Sequence, residues 1–495
     1  MSLMLSVSGC RGVVGESLTP EVAARFAGSF AGWLRERAAG RPVTVVVGRD
    51  GRAGSEMVRM AALAGITGAG CRVVDLGVAM TPTVAVMTDS YARREGGVVA
   101  GMVLTASHNP QQWNGLKCLL AEGGLHGSAA CAPPAVFAGE IIERFKSGRP
   151  GVVGWEQVGS IVQDDSGVEE HVARVLDAMV ESGLCEAPEA IGDGLHVVVD
   201  CVNASGAAGA QRLLEALGCA EILPLNISSS GLFPHPPEPT AENLAMAGGL
   251  SDTVRESGAD VGFAQDPDAD RLALIDETGR YVGEEYTLAL GALAILSASE
   301  KDSGSGAMEQ RMLGTNLSTS RMIDDVASRF GAKVMRTAVG EANVVESMKR
   351  ERAVAGGEGN GGVIWPRVTY VRDSLSAMAL TLWLMSAHGG GRGARRRLSD
   401  LVRSIPSYAI EKRKVSLARR EDADAAVSKI AAAYGSQRVD RQDGAWVDFA
   451  SGPLSGRAWL HVRASNTEPI MRLIAEAPTS EAANGILDEA ARVIG

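Results

Sequence analysis

Short apolar runs alternate with helical patterns along most of the chain. One such unit begins with the apolar run 43–47, continues through a polar loop and a helix, and ends with a glycine stop and a second strand at 71–76. The same order returns at 197–225 and at 312–336. This order is typical of a β–α–β crossover in a parallel or mixed sheet. Three spaced copies therefore predict three similar α/β domains.

The ends of the chain depart from this unit. Thr19 as N-cap and Pro20 at the first helical position predict a helix that runs to about Arg37. Near the C-terminus, strands over 457–463 and 470–475 precede a helix from Ser480. We therefore predict an α/β protein with three similar mixed-sheet domains and a smaller α+β C-terminal domain. The predicted domains span residues 1–155, 160–276, 277–389 and 398–495. A linker between the first two is predicted at 151–159.

Composition limits the possible functions. The 495 residues are 45% hydrophobic and 22% charged, as in ordinary globular proteins. The net charge of −11 argues against general binding to nucleic acid or to a membrane surface. We find neither a signal peptide nor an apolar run near the roughly 20 residues that span a bilayer. The seven scattered cysteines predict free thiols and a cytoplasmic protein.

Candidate chemistry begins with the stretch from Gly101 to Lys117. The apolar strand 98–104 ends in Thr-Ala-Ser-His-Asn-Pro, and Asn109-Pro110 is a turn signal. Ser107 is thus expected on an exposed loop just past a strand end, where open α/β sheets place their chemistry. A serine hydroxyl is a weak nucleophile and needs a base or a cation, for which His108 and Lys117 are candidates.

A second polar stretch, Asp266-Pro-Asp-Ala-Asp-Arg271, lies between two predicted strands, 259–264 and 272–275. Carboxylates at i, i+2 and i+4 on one tight loop repel one another and suit a hard divalent cation. An EF-hand is rejected because Arg271 stands sixth, where such a loop needs glycine, and because strands flank the loop. The pattern predicts a Mg²⁺ site with open positions for a phosphoryl oxygen.

Three later stretches are less specific. Gly356–Ile364 is glycine-rich and carries Glu358 and Asn360, which either present polar groups to sugar hydroxyls or belong to a plain flexible turn. The basic run 389–397 favours a hinge leading into a helix over a nucleic-acid contact, because the rest of the protein is acidic. Near the C-terminus, a guanidinium, two hydroxyls and an amide form a compact anion cradle in one turn: Arg463, Ser465, Asn466 and Thr467.

Together these stretches resemble the α-D-phosphohexomutases, the superfamily of phosphoglucomutase, phosphomannomutase and phosphoglucosamine mutase. The serine string, with Asn114-Gly115 and Lys117 behind it, is similar to the phosphoserine loop of that family. The aspartate string resembles the metal loop, Gly356–Ile364 the sugar-recognition loop, and the turn after Arg463 the phosphate-binding loop. Gly362 departs from the family, which often has a histidine at that position, so an acid/base role taken from that histidine is in doubt.

The resemblance implies interconversion of hexose 1-phosphate and 6-phosphate through a phosphoserine enzyme and a hexose 1,6-bisphosphate intermediate. It implies one Mg²⁺ per chain on phosphorylated Ser107 and on Asp266, Asp268 and Asp270. The resemblance also implies catalytic roles for Ser107, Arg11, His108, Lys117 and Arg271. It implies that the substrate is bound by Glu358, Asn360, Arg463, Ser465, Asn466 and Thr467.

Two other classes of function stay open at this stage. A metal-dependent sugar phosphatase would use the aspartate loop without a phosphoserine, and a non-catalytic phosphosugar-binding protein would keep only the fold. The sequence does not favour a serine hydrolase, because adjacent Ser107 and His108 lack a nucleophile elbow. The expected partner is a small phosphosugar, with no nucleic acid and no membrane, bound by a monomer or a homodimer.

Overall fold

The computed structural model describes residues 3–122, 129–299, 311–387, 394–464 and 470–495. They form one eight-stranded sheet, two four-stranded sheets and one five-stranded sheet. The predicted fold class is confirmed, because three mixed α/β domains precede a smaller domain with an antiparallel sheet. Within the described ranges, we find no helix that is both long and apolar enough to cross a membrane. All seven cysteines are free thiols.

The first domain orders its strands β1-β2-β6-β5-β3-β4-β8, with β7 paired to β6. Its elements are β1 (Met4–Ser6), β2 (Gly9–Val13), α1 (Pro20–Ala38), β3 (Val43–Arg49), α2 (Ser55–Gly68), β4 (Arg72–Val78), α3 (Thr81–Arg94), β5 (Val98–Leu104), β6 (Trp113–Glu122), β7 (Ala129–Cys131), α4 (Ala135–Lys146) and β8 (Ile161–Gln163).

The second and third domains share one strand order. The second contains α5 (Gly167–Glu181), β9 (His196–Asp200), α6 (Gly206–Ala216), β10 (Glu221–Leu225), α7 (Ala241–Leu244), α8 (Leu250–Ser257), β11 (Val261–Gln265) and β12 (Leu272–Asp276). The third contains α9 (Glu284–Ser299), β13 (Met312–Asn316), α10 (Met322–Arg329), β14 (Lys333–Thr337), α11 (Glu341–Glu351), β15 (Ala355–Glu358), β16 (Gly362–Ile364) and α12 (Ser374–Met385). The sheets run β10-β9-β11-β12 and β14-β13-β15-β16.

The fourth domain follows α13 (Leu398–Arg403). It contains β17 (Ala409–Ser416), α14 (Ala423–Ala433), β18 (Arg438–Asp440), β19 (Ala445–Asp448), β20 (Trp459–Ala464), β21 (Ile470–Ala477) and α15 (Ser480–Ile494). The sheet order is β17-β21-β20-β19-β18, with every pair antiparallel.

The three predicted β–α–β units are present as β3–α2–β4, β9–α6–β10 and β13–α10–β14. In each unit the two strands are parallel, a third strand joins the first in parallel, and a fourth returns antiparallel. A turn between the third and fourth strands therefore recurs at one position in all three sheets. We call these turns the serine turn (residues 105–112), the aspartate turn (266–271) and the glycine turn (359–361).

Local predictions held where the sequence carries a strong signal. Helix α1 begins at Pro20, and the Thr19 hydroxyl accepts a hydrogen bond from the Val22 amide at 3.4 Å. Strand β5 has the predicted bounds. The basic run leads to α13 at Leu398, whereas residues 388–393 lie outside the described residues.

Packing crosses two of the predicted domain boundaries. Strand β8 hydrogen-bonds to β4 of the first sheet, although the predicted boundary at 160 places it in the second domain. Helix α13 packs Leu398 and Leu401 into the core that the second and third domains share. Helix α12 is buried on every side in the same core. The fourth domain instead packs a separate core between its sheet and helices α14 and α15.

Candidate active site

The serine turn leads from β5 into β6 and places Ser107 in a buried position. Ser107 is only 5% exposed, so the predicted exposed loop is wrong. Packing of the second domain covers the turn, and the Ser107 hydroxyl donates to Asp266 Oδ2 at 2.9 Å. Its φ of +49° lies in the left-handed region, which is uncommon for a residue other than glycine and which can mark a functional constraint.

Two buried residues that the sequence reading missed hold this turn. Arg52 donates from Nη2 to the Ser107 carbonyl, from Nη1 to the Trp113 carbonyl at 2.7 Å and from Nε to Asp50 Oδ2 at 2.7 Å. Asp50 also accepts from the Thr105 hydroxyl at 2.7 Å, and that hydroxyl accepts from the Ser107 amide at 2.8 Å. The loop between β3 and α2 thus fixes the backbone of the serine turn.

The aspartate turn brings three buried carboxylates together. One oxygen each of Asp266, Asp268 and Asp270 lies within 4.8 Å of the others. Burial raises the pKa of Asp266 well above its ordinary value, and the charges of Asp268 and Asp270 raise it further. Oδ1 of Asp268 and Oδ1 of Asp270 are buried without a hydrogen-bond partner. Crowded carboxylates with oxygens that lack a hydrogen-bond partner fit a hard divalent cation.

The other domains fix the backbone of the aspartate turn. Thr81, at the start of α3 in the first domain, donates from its hydroxyl to Asp268 Oδ2 at 2.7 Å and from its amide to the Asp268 carbonyl at 2.9 Å. Ser374, at the start of α12, donates from its hydroxyl to the Ala269 carbonyl at 2.7 Å. Ala269 has a φ of +52°. Three domains therefore determine the conformation of this turn.

The predicted cations lie around the two turns. Arg11 was expected on a flexible loop, but it lies half-buried on β2, whose partner β6 comes a hundred residues later. Its Nη1 donates to Asn109 Oδ1 at 3.2 Å. Lys117 Nζ lies 3.6 Å from Asp270 Oδ2 and 3.6 Å from Glu341 Oε1. Arg271 places Nε 3.9 Å from Asp270 Oδ1.

His108 is the imidazole nearest to the serine. Its Nδ1 lies 3.4 Å from Ser107 Oγ and its Nε2 lies 4.0 Å from Glu238 Oε1. Burial lowers the pKa of His108 to about 3, and the charges of Arg271 and Arg11 contribute to this shift. The ring is therefore neutral at physiological pH.

The glycine turn connects β15 to β16, so the predicted loop is a tight hairpin with only three turn residues. Glu358 is 6% exposed and accepts from Asn316 Nδ2 at 2.8 Å. Arg372, which the sequence reading missed, donates from Nη1 to Glu358 Oε2 and to Asn360 Oδ1, both at 3.2 Å. The two predicted substrate-binding residues are thus neighbours.

The fourth domain forms the opposite wall of the cleft. Arg463 lies on β20 with Nε 3.5 Å from Asp443 Oδ2, and that Nε has no hydrogen-bond partner. Ser465, Asn466 and Thr467 lie outside the described residues, so their predicted role stays a prediction. A cavity of about 760 Å³ separates this wall from Glu358, Asn360 and His108. Three further cations also line it: Lys412, Lys414 and Arg472.

A second cavity of about 810 Å³ continues this cleft over the serine and aspartate turns. Ser107, Lys117 and Arg271 line it. His108, Glu358 and Asn360 line both cavities. Apart from Asp266, the predicted groups that the structure describes therefore line these two adjoining cavities, and they come from all four domains.

Known proteins are similar to this chain over nearly its whole length. Models of the phosphoglucomutase/phosphomannomutase family match domain I at 3–131, domain II at 176–279, domain III at 287–408 and the C-terminal domain at 414–493. A protein of Thermococcus kodakarensis named phosphoglucomutase/phosphomannomutase is 34% identical over 493 residues, which cover 99% of this chain and 97% of that protein.

A second relative and a solved structure are also similar to nearly the whole chain. A Methanopyrus kandleri protein named "Probable phosphoglucosamine mutase" is 35% identical, with 99% of this chain and 97% of the relative covered. A Burkholderia thailandensis phosphoglucomutase/phosphomannomutase family protein superposes with a TM-score of 0.76 at 25% identity, with 99% and 98% of the two chains covered.

An Aspergillus fumigatus N-acetylphosphoglucosamine mutase, solved with GlcNAc-6P and magnesium, shares the fold with a TM-score of 0.54 at 14% identity. That alignment covers 100% of this chain and 96% of the other. The family models, the relatives and the four-domain cleft lead to one conclusion: this chain belongs to the phosphoglucomutase/phosphomannomutase family of α-D-phosphohexomutases.

Proposed function

We propose that the protein interconverts a hexose 1-phosphate and the corresponding 6-phosphate by way of a phosphorylated Ser107. The observation that carries this proposal is the contact between Ser107 Oγ and Asp266 Oδ2, which joins the serine turn to the aspartate turn inside a cleft lined by cations. A phosphoserine carries a charge of about −1.5 to −2 near neutral pH. Beside three aspartates, that charge requires compensation by a cation.

Asp266, Asp268 and Asp270 would hold one Mg²⁺, with phosphorylated Ser107 as a further ligand. The fit rests on the closeness of the three carboxylates and on the Oδ1 atoms of Asp268 and Asp270, which lack a hydrogen-bond partner. Mg²⁺ bound there neutralises negative charge on the transferring phosphoryl group. Arg271 and Arg11 add fixed positive charge on the protein side, and preorganised charge of this kind is the main source of catalysis in phosphoryl transfer.

In the forward half-reaction, the bond between Ser107 Oγ and phosphorus breaks and a sugar hydroxyl oxygen bonds to that phosphorus. The hydroxyl proton leaves to a base, Ser107 Oγ takes up a proton, and the products are a bisphosphate and a free Ser107 hydroxyl. Neutral His108 can accept a proton next to Ser107 Oγ. Burial alone would lower the pKa of Lys117, but Glu341 and Asp270 raise it above its ordinary value. Lys117 is therefore protonated and supplies a fixed positive charge beside Asp270.

The remaining residues would orient the sugar. Glu358 would accept hydrogen bonds from the sugar hydroxyls, and Asn360 would accept or donate them. The phosphate that does not react would be bound by Arg463, Ser465, Asn466 and Thr467. After the first transfer the bisphosphate turns around, so that its other phosphate returns to Ser107. The 760 Å³ cavity between the fourth domain and the glycine turn provides room for this movement.

We propose glucosamine, mannose or glucose phosphates as substrates, because the relatives are named for these sugars. The free thiols suit a reducing compartment, which we propose is the cytoplasm.

The test is to supply purified protein and Mg²⁺ with each of the three 1-phosphates and to follow 6-phosphate and inorganic phosphate separately. Peptide mass mapping after incubation with glucose 1,6-bisphosphate should locate a phosphoryl group on Ser107. Formation of a 6-phosphate without release of inorganic phosphate supports the mutase. Release of inorganic phosphate alone would establish a phosphatase, and a Ser107 that never carries phosphate would refute the mechanism.

A further inference from the structure

Arg372 is a buried cation whose guanidinium contacts four side chains on three different segments. It donates from Nη2 to Asp270 Oδ2 at 2.5 Å, from Nε to Glu341 Oε2 at 2.8 Å, and from Nη1 to Glu358 Oε2 and Asn360 Oδ1 at 3.2 Å. Its side chain is only 9% exposed. A single planar fork therefore connects the aspartate turn with the glycine turn.

The Arg372 side chain leaves no room for a side chain at position 362. Gly361 has a φ of +84°, a conformation that favours glycine, but Gly362 lies outside the left-handed region and its backbone would accept a side chain. A Cβ placed on Gly362 would lie 2.1 Å from Arg372 Cδ and 2.8 Å from Arg372 Cγ. The stem of Arg372 thus occupies the volume that a side chain at 362 would need.

We propose that Arg372 is a positioning residue that holds the sugar-binding glycine turn in register with the metal-binding aspartate turn, and that residue 362 is glycine to let the Arg372 side chain pass. The part of this inference that concerns catalysis rests on the proposed function. A guanidinium stays protonated at any working pH. Arg372 therefore occupies the space of a Cβ at position 362 and takes no part in proton transfer.

Both carboxylate oxygens of Glu358 are held, one by Asn316 and the other by Arg372. Without Arg372, Glu358 loses one of these partners. The nearby cations that remain are Lys117 for Glu341, and Lys117 and Arg271 for Asp270. We therefore expect both the orientation of the sugar and the geometry of the aspartate turn to suffer. Lysine offers a point charge in place of a fork, so it cannot reach all four partners.

The experiment is a double-mutant cycle of Arg372→Ala and Gly362→Ala, with Arg372→Lys added, in the full-length protein with Mg²⁺. Arg372→Ala should lower kcat/KM by about 100-fold, the usual cost of a misplaced substrate. Gly362→Ala should cost about 10-fold or more alone and less than about 3-fold in the Arg372→Ala background, because its effect is transmitted by Arg372. Arg372→Lys should stay at least about 10-fold below the natural protein.

Two matched controls check for general damage. Gly139→Ala places a methyl group in open space on α4, and Arg367→Ala removes an exposed arginine five residues before Arg372. Both should stay within about 2-fold of the natural protein, since surface changes far from the site are nearly neutral.

Thermal unfolding tests the steric part without any substrate. Gly362→Ala should lower Tm in the natural protein and leave it unchanged in the Arg372→Ala background. Equal losses in both backgrounds would overturn the role of Gly362, and full activity of Arg372→Lys would overturn the fork. If neither the natural protein nor any variant has mutase activity, the proposed function fails. Calorimetric binding of glucose 6-phosphate then decides the positioning role, which predicts at least about 10-fold weaker binding by Arg372→Ala.

Discussion

The two walls of the cleft are both charged but differ in how their charges are held. On the wall built from the serine and aspartate turns, Ser107, Asp268 and Asp270 are buried and fixed by contacts from three domains. On the fourth-domain wall, Lys412, Lys414 and Arg472 face the cavity, and within the described ranges none of them forms an ion pair.

This difference predicts two kinds of contribution to turnover. Fixed, buried groups act most strongly on charge that develops as the phosphoryl group moves, so their loss should appear in kcat. Cations that face solvent bind phosphate in the ground state and the transition state about equally, so their loss should appear in KM.

The strongest test of the buried wall is Ser107→Ala. Without the hydroxyl no phosphoenzyme can form, and we expect kcat to fall at least about 1000-fold. Steady-state mutase assays and intact mass before and after incubation with glucose 1,6-bisphosphate measure both losses. Ser328→Ala, on the exposed face of α10, is the control. Undiminished turnover by Ser107→Ala would contradict the assignment of the nucleophile.

The next effect concerns the aspartate turn. Asp268→Asn should lower kcat by about 100-fold, since one charged ligand of a phosphoryl-transfer metal is lost. Chelation should abolish turnover, and Mg²⁺ should restore it. Added Mg²⁺ should also raise the Tm of the natural protein more than that of the variant, because a ligand stabilises the state that binds it. Asp177→Asn on α5 is the exposed control. Full activity in chelator would refute the metal site.

On the fourth-domain wall, Arg463→Ala should raise KM for the sugar phosphate by about 10- to 100-fold while kcat falls less than about 3-fold. Escape of the bisphosphate during its turn could add a requirement for supplied bisphosphate. Kinetics with and without glucose 1,6-bisphosphate separate the two effects, with the exposed Arg457→Ala as control. An unchanged KM without such a requirement would mean that this wall does not hold the phosphate.

The smallest expected effect concerns Glu285, an acid under the glycine turn that has no ion pair among the described residues. Burial raises its pKa to about 8 from an ordinary 4.5, although the Ser320 amide donates to it. The folded state therefore keeps a proton that the unfolded chain releases, and stability falls as pH rises from about 4.5 toward 8. Glu285→Gln should flatten the fall of Tm over this range. Glu481→Gln on the surface of α15 should leave the slope unchanged, and an equal slope in both variants would exclude Glu285 as the cause.

Sequence reading succeeded where a signal is local. The aspartate string, the serine string and the three β–α–β units are contiguous patterns. The structure forms all three units and places each of the two strings in a turn between two strands. Arg11 was assigned to a loop because its strand partner lies in β6, which no local pattern reveals. Ser107 was called exposed because only the packing of the second domain buries it.

The supporting residues were missed for the same reason. Arg372 lies 102 positions from Asp270, and Thr81 lies 187 positions from Asp268. Neither stands in a distinctive string, so only the packing of domains reveals their contacts. Gly362 did carry a signal, since a glycine at that position departs from the family, but its cause is visible only beside Arg372.

The separate core of the fourth domain has a consequence for the cooperativity of unfolding. Its apolar contact with the third domain centres on a small cluster of Leu317, Trp446 and Trp459. The second and third domains instead share one continuous core, which also includes Met80 and Val86 of the first domain. Breaking the small cluster costs little of either large core, so the fourth domain can melt while the rest stays folded. The calorimetric melting curve of this protein should therefore contain two transitions, and the heat absorbed in the smaller one should correspond to the 19-residue core cluster between Ala423 and Ile494.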